Sequence, residues 1–342
     1  MIYDAYKNKG LTGLANLGNT CYINSSLQVL SHIPELSQYS SEFLKTHETT
    51  AKNGYLLKEW VDLYNLMWNK NSIISPNRFL KVIQTVSKDN NNSHFVGFDQ
   101  NDSTEFFYFI IQIFHSTLKQ APDTDSLLKY QMSHHAKDKS FCSFLNSRHK
   151  DDYSFIDALF STYIKIEFID KKTNKTLSVN YENFYILDIA LPQLTVVECL
   201  DHHFSPEELN AENDNQYYDD TEGVYKDVIK RSTIYNSPLY MIVQLKRWNL
   251  NLKKNQRVIQ YDPQGISMKK YHHPKSIDKS NSDYELFGII NHSGNVFGGH
   301  YYSYMKGFNG KWYEFNDTAV KEIQITKLHS NKNYCFIYRR NK

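Results

Sequence analysis

At 342 residues the chain is long enough to bury a sizeable core, in one large domain or in two ordinary ones. With 40% apolar and 22% charged residues and a formal net charge of only +2, it reads as globular, and it carries no field that would favour nucleic acid. Four widely spaced cysteines, Cys21, Cys142, Cys199 and Cys335, lack the dense spacing of a secreted disulfide scaffold, so a reducing interior is expected. The opening MIYDAYKNKG has no apolar signal region, and no stretch approaches the ~20 apolar residues of a membrane span. A soluble intracellular monomer, in cytoplasm or nucleus and bound neither to membrane nor to nucleic acid, is the expectation.

In chain order, residues 11–20 are rich in turn-formers, and CYINSSLQVL then opens an amphipathic helix with Cys21 at its start. Helical spacing returns in YLLKEWVDLYNLMW (55–68) and in PNRFLKVIQTV, where Pro76 suits a first helical position. The polar SKDNNNSH makes a loop. DSTEFFYFIIQIFHSTL (102–118) begins with Asp102 as an N-cap and Glu105 three residues on, in the manner of a capping box, and should be buried on most sides. Residues 119–150 read as a polar connection with one short helix.

From Tyr163 the period changes to two, in YIKIEFI and TLSVNYENFYILDIAL. The acidic SPEELNAENDNQYYDDTEG from Ser205, followed by a basic stretch, suggests a solvated protrusion with paired charges. YMIVQLKRW, YELFGIINHS, HYYSYMKGF, GKWYEFN and YCFIYRR then read as one antiparallel sheet. Helices first and strands second argue for an α+β unit.

A thiol attacks a carbonyl well as a thiolate, and a helix N-terminus or an imidazolium favours that form. A lone cysteine at a helix start is more often a packing residue. Here, however, GLTGLANLGNTCYINSSLQVL resembles the cysteine box of the ubiquitin-specific protease family, a specific run leading into a helix. The resemblance implies that Cys21 is the nucleophile and that Asn16 donates to the oxyanion, a role that suits an amide placed on developing negative charge. FGGHYYSYMKGFNGKWYEFNDTAV resembles the same family's histidine box. By that likeness His300 is the general base, and Asn316 orients its tautomer as in Cys-His-Asn triads. Asp317 assists either the oxyanion or the histidine, or supports the loop.

GFDQNDSTEFF resembles the family's glutamine box, with Ser103 in place of the usual alanine. It implies that Gln100, Asp102 and Glu105 line the path of a ubiquitin tail whose two arginines favour acidic walls; capping alone would also explain the two carboxylates. Gly298, Gly299, Tyr301 and Tyr304 flank the histidine and are expected on the same path. YMIVQLKRW follows a further family strand, with Trp248 for the usual phenylalanine, and the likeness runs over roughly residues 10–340.

The chain departs from many family members in lacking two Cys-x-x-Cys pairs, and the run of Cys199 with His202 and His203 reads as surface. No structural metal and no cofactor are expected, with the intervening strands held by pairing and packing. The resemblance implies an α+β fold of the papain-like cysteine protease superfamily in a fingers-palm-thumb arrangement. The thumb covers about 10–150, the fingers about 155–240, and the palm about 185–205 and 240–342. SGNVFGG before His300 resembles a blocking loop that must open. The implied activity is hydrolysis of the bond after the Gly-Gly of ubiquitin through a Cys21 thioester, on ubiquitin, polyubiquitin or ubiquitinated proteins. The alternatives are a catalytically silent ubiquitin-binding module and a thiol protease for a ubiquitin-like modifier.

Overall fold

The helical patterns and the period-two runs separate in space much as they do along the chain. A computed structural model describes residues 4–49, 52–90, 92–119, 133, 138–150, 152–295 and 298–341. Most of the expected 119–150 connection and the pair Val296–Phe297 of the expected blocking loop lie outside the described residues.

The helical part contains α1 (Cys21–Ser31), α2 (Pro34–Thr46), α3 (Lys52–Asn69), α4 (Asn77–Asp89) and α5 (Ser103–Leu118), followed by α6 (Lys139–His149) and α7 (Phe155–Phe160). Helix α2 is absent from the sequence expectation. Its inner face carries Ser37 and Ser40 beside Leu36 and Phe43, which blurs the apolar period, although Pro34 marks the first turn. Pro76 sits one residue earlier than expected, as the N-cap of α4. Helix α5 buries Phe106, Phe107, Phe109, Ile110, Ile111, Ile113 and Phe114 and leaves Glu105, Tyr108 and Gln112 exposed, as its composition requires. A two-residue parallel pair, β1 (Gly13–Leu14) with β2 (Ile73–Ile74), ties the loop before α1 to the start of α4.

The run read as continuous from Thr176 divides. After β3 (Thr162–Asp170), β4 (Thr176–Phe184) pairs with β3, while β5 (Ile186–Ile189) enters a different sheet. Tyr185 lies at the break, its hydroxyl donating to the buried Asp157 at 2.8 Å. Beyond α8 (Val196–His203) come β6 (Glu207–Leu209), the hairpin β7 (Tyr217–Asp219) and β8 (Val224–Lys226), and β9 (Val228–Asn236). Strands β4, β3, β9 and β6 form a four-stranded antiparallel sheet in that order.

Ion pairs add to strand pairing in this region, more than pairing and packing alone. Lys226 donates to Asp219 at 2.7 Å and pairs with Glu222 at 2.8 Å across the β7–β8 turn, while Lys171 meets Glu208 at 2.8 Å. Among the described residues, no group of three His, Cys, Asp or Glu side chains could hold a metal, and no helix is long and apolar enough to cross a membrane.

The remaining strands are β10 (Tyr240–Leu245), β11 (Gly265–Ser267), β12 (Asp283–Gly294), β13 (Gly299–Lys306), β14 (Trp312–Asn316), β15 (Ala319–Ile323) and β16 (Asn333–Arg340). They join β5 in an eight-stranded sheet of order β15-β14-β13-β12-β16-β10-β5, with β11 on β12. The five C-terminal runs pair antiparallel, as expected; β5, from earlier in the chain, adds to their edge parallel to β10, which the long crossover between them permits. Alternation along β13 serves two cores. Tyr301 and Met305 join the core shared with the helices, whereas Tyr302 and Tyr304 join the core on the other side. Helix α1 packs against β13 and β14, which sets Cys21 beside the strand ends.

Candidate active site

The loop entering α1 is shaped by its sequence. Gly18 and Asn19 hold positive φ values of 102° and 53°, which glycine and asparagine tolerate. Asn16 Oδ1 accepts from the Gly18 and Thr20 N–H groups, each at 3.1 Å, and from the Thr20 hydroxyl at 3.3 Å. The same hydroxyl accepts from Leu17 N–H, and Thr20 gives α1 no side-chain cap. The first-turn N–H groups and the positive end of the helix dipole are thus left facing outward around Cys21. Cys21 itself is 4% exposed.

His300 is the second residue of β13, and Asn316 ends the neighbouring β14. His300 Nε2 meets Asn316 Oδ1 at 2.7 Å, leaving Nδ1 for the thiol. The imidazole is raised to about 9, first by its hydrogen bond with Cys21. Desolvation opposes that rise, and Asn316 and the nearby charges of Cys21 and Asp317 support it. Cys21, His300 and Asn316 therefore come together from residues 295 positions apart in sequence.

Asp317 faces the cysteine loop rather than the imidazole ring. With a φ of 49°, it turns its carboxylate so that Oδ2 accepts from Asn16 Nδ2 at 3.0 Å and Oδ1 from Asn24 Nδ2 at 2.8 Å. Its carbonyl accepts from Leu14 N–H. A Cβ on Gly13 would overlap the Thr318 carbonyl, so loop and turn lie directly on one another. Asn24 was given no role from the sequence, although it stands inside the cysteine-box run; like its polar helix neighbours Ser25, Ser26 and Gln28 it is buried.

On the other side of His300, Gly299 N–H donates to Gln100 Oε1 at 2.7 Å. Asp102 caps α5, accepting from Thr104 and Glu105 N–H, but among the described residues Glu105 does not return the second half of a capping box. The other oxygen of Asp102 accepts from Tyr301 at 3.1 Å and from Tyr334 at 2.5 Å. Tyr334, from β16, is a second residue that the sequence reading missed. Tyr304 is buried in the far core with Tyr302, away from Asp102, because alternation turns it to the opposite face from Tyr301. Glu105 is exposed and lines an open cleft of about 550 Å³ together with Thr104, Tyr108, Asp188 and Gln244. Gly298 has open space where a side chain would stand.

The model of the family described as ubiquitin carboxyl-terminal hydrolase matches residues 12–338. A probable ubiquitin carboxyl-terminal hydrolase, R319, of Acanthamoeba polyphaga mimivirus is 24% identical, the match covering 96% of this chain and 90% of the relative. Ubiquitin carboxyl-terminal hydrolase 2 of Rattus norvegicus is also 24% identical over 96% of this chain, which spans only 54% of that longer protein. Among solved structures, the SAGA Ubp8/Sgf11/Sus1/Sgf73 DUB module bound to ubiquitin aldehyde superposes with a TM-score of 0.76 at 24% identity, over 100% of this chain and 72% of the matched one. At that identity the superposition speaks for the fold, which is that of a ubiquitin-specific protease domain. With nearly its whole length matched, the chain belongs to the ubiquitin carboxyl-terminal hydrolase family of thiol-dependent deubiquitinating enzymes.

Proposed function

We propose that the chain hydrolyses the bond after the C-terminal Gly-Gly of ubiquitin, with Cys21 as nucleophile, His300 as general acid and base, and Asn316 as the residue that holds the imidazole. The helical part acts as thumb, the four-stranded sheet as fingers and the eight-stranded sheet as palm. Cys21 Sγ adds to the glycine carbonyl. The oxyanion is met by Asn16 Nδ2, whose second N–H is not used by its bond to Asp317, and by a first-turn N–H of α1, whose N-cap Thr20 supplies no side-chain acceptor. His300 then delivers its proton to the departing amine and leaves a thioester, and in the second half it takes a proton from water.

Asp317 holds Asn16 in place through the 3.0 Å hydrogen bond. Gln100, Asp102, Tyr301 and the Gly298–Gly299 pair border the path of the tail. The exposed Glu105 and Asp188 offer acidic walls to its arginines. Tyr304 supports the palm from within, rather than touching the tail. All of these groups come from one chain, so a monomer suffices for the chemistry. Four unbridged cysteines suit a reducing, intracellular compartment.

The observation that carries this reading is the His300–Asn316 hydrogen bond at 2.7 Å beside Cys21 at an uncapped helix start. Cleavage of a panel of diubiquitins and of fusions to other ubiquitin-like modifiers tests it. Cleavage of ubiquitin substrates, lost in Cys21→Ala without loss of ubiquitin affinity, is the expected result. Turnover of another modifier alone would replace the substrate, and tight ubiquitin binding with no turnover would make the chain a binding module.

A further inference from the structure

A cleft on the far side of the eight-stranded sheet plays no part in the chemistry above. It holds about 550 Å³ and runs beside β11, whose three residues line it with Val197 of α8 and with Lys269, Lys270 and Lys279. Ile266 packs onto the core that contains Val196 and Met268, not onto the one that contains Cys21, so the sheet separates the cleft from the thiol.

Strand β11 has one open edge. Ile266 stands opposite Tyr284 of β12, and on either side Leu286 N–H donates to the Gln264 carbonyl and Met268 N–H to the Ser282 carbonyl. The even-numbered residues therefore direct their main-chain groups to β12, and Gly265 and Ser267 turn theirs the other way. Gly265 N–H closes the preceding turn onto the Asp262 carbonyl. The Ser267 N–H and the carbonyls of both residues have no main-chain partner among the described residues. Such an edge is a template for a further strand.

The charges around the edge are unbalanced. Lys270 meets Asp201 at 2.6 Å, whereas Lys269 and Lys279, at the end of β11 that leads to Met268, have no carboxylate partner among the described residues. Asp262 stands at the opposite end, its carboxylate accepting from Gln264 N–H at 2.8 Å. Val197 adds an apolar wall and is 41% exposed. We propose that this cleft docks an extended acidic segment of a partner protein. The segment adds a strand to the free edge of β11, sets carboxylates on Lys269 and Lys279, and lays a small apolar side chain against Val197. The chain as a whole carries a net charge of only +2, so the attraction is local to this patch. With the sheet between them, the cleft and Cys21 are occupied independently, which suits a surface for recruitment.

Fluorescence anisotropy of a fluorescein-labelled hexapeptide, Glu-Val-Glu-Val-Glu-Val, titrated with the protein tests both the charge and the strand. Binding should be saturable at low salt and at least about tenfold weaker in about 0.5 M salt or in the double variant Lys269→Glu/Lys279→Glu. The same peptide N-methylated throughout, which has no main-chain donors, should also lose at least about tenfold. Ser267→Pro removes the outward N–H and leaves the pairing with Tyr284 intact, so it should weaken the unmethylated peptide in the same direction. Hydrolysis of ubiquitin-aminocoumarin should stay within about twofold in these variants and in the presence of the peptide, as for distant, independent sites. No binding by the wild type overturns the proposal, and so does undiminished binding by the charge variant or of the methylated peptide. Equal affinity for an oligothymidylate of the same charge would make the cleft a general anion surface and overturns it as well. Should Ser267→Pro fail to fold, the methylated peptide decides the strand. A wild type that hydrolyses nothing would count against the function proposed above and not against this surface, since the anisotropy does not use the thiol.

Discussion

Replacing Asp317 by asparagine changes little in shape, and asparagine accepts the left-handed φ of 49° found there. It changes the hydrogen bonding decisively. The carboxylate receives two amide donors, Asn16 at 3.0 Å and Asn24 at 2.8 Å, whereas an amide has one acceptor oxygen and must turn its own NH2 toward the other donor. Each charge-assisted bond contributes about 1.5–3 kcal/mol, enough to let Asn16 leave its place. An oxyanion donor contributes about 10²–10³ in kcat. Asn16→Ala should lose about that much, and Asp317→Asn about 10–100-fold, because the donor is displaced rather than deleted. If Asp317 acts through Asn16, the double variant should be no slower than Asn16→Ala. Steady-state hydrolysis of ubiquitin-aminocoumarin by the three variants measures this. Losses that multiply, or an Asp317→Asn effect confined to KM, would refute the coupling.

His300 should titrate near 9 in the wild type and fall toward its ordinary 6.5 in Cys21→Ala, since the hydrogen bond with Cys21 is the largest cause of its elevation. The folded value lies above the unfolded one, so the pair's contribution to stability is complete below about pH 6.5 and is lost as pH rises through about 9. NMR titration of the two proteins decides, and an unmoved His300 in Cys21→Ala would contradict the contact. Lys226→Met should open the β7–β8 hairpin, which loses both its Asp219 and Glu222 partners, while a chelator should leave the wild type untouched. Hydrogen exchange over residues 217–226 reads this; unchanged protection in the variant would mean that the ion pairs do not hold the hairpin.

What could be read from the sequence was what is written locally. Cys21 and His300 stand inside runs whose glycines and asparagines have plain backbone reasons, such as the positive φ values of Gly18 and Asn19 before α1. Asp102 announced itself as an N-cap, and the capping is there. What escaped were partners across long sequence distances. Asp317 is 301 residues from Asn16, and Tyr334 is 232 residues from Asp102, so neither contact leaves a trace in spacing. Helix α2 was hidden by serines on its buried face, and the break at Tyr185 by continuous β character on both sides of a switch between sheets. Tyr304 was drawn to the tail path by its closeness to His300 in sequence, whereas strand alternation carries it to the opposite core.

The most direct test of the account is reaction of the protein with ubiquitin vinyl sulfone, with the modified residue found by peptide mass spectrometry. One ubiquitin on Cys21, added rapidly by the wild type and at least about a hundredfold more slowly by His300→Ala, is the outcome expected of a thiol activated by that imidazole. Attachment at Cys142, Cys199 or Cys335, or labelling of His300→Ala at the wild-type rate, would contradict it.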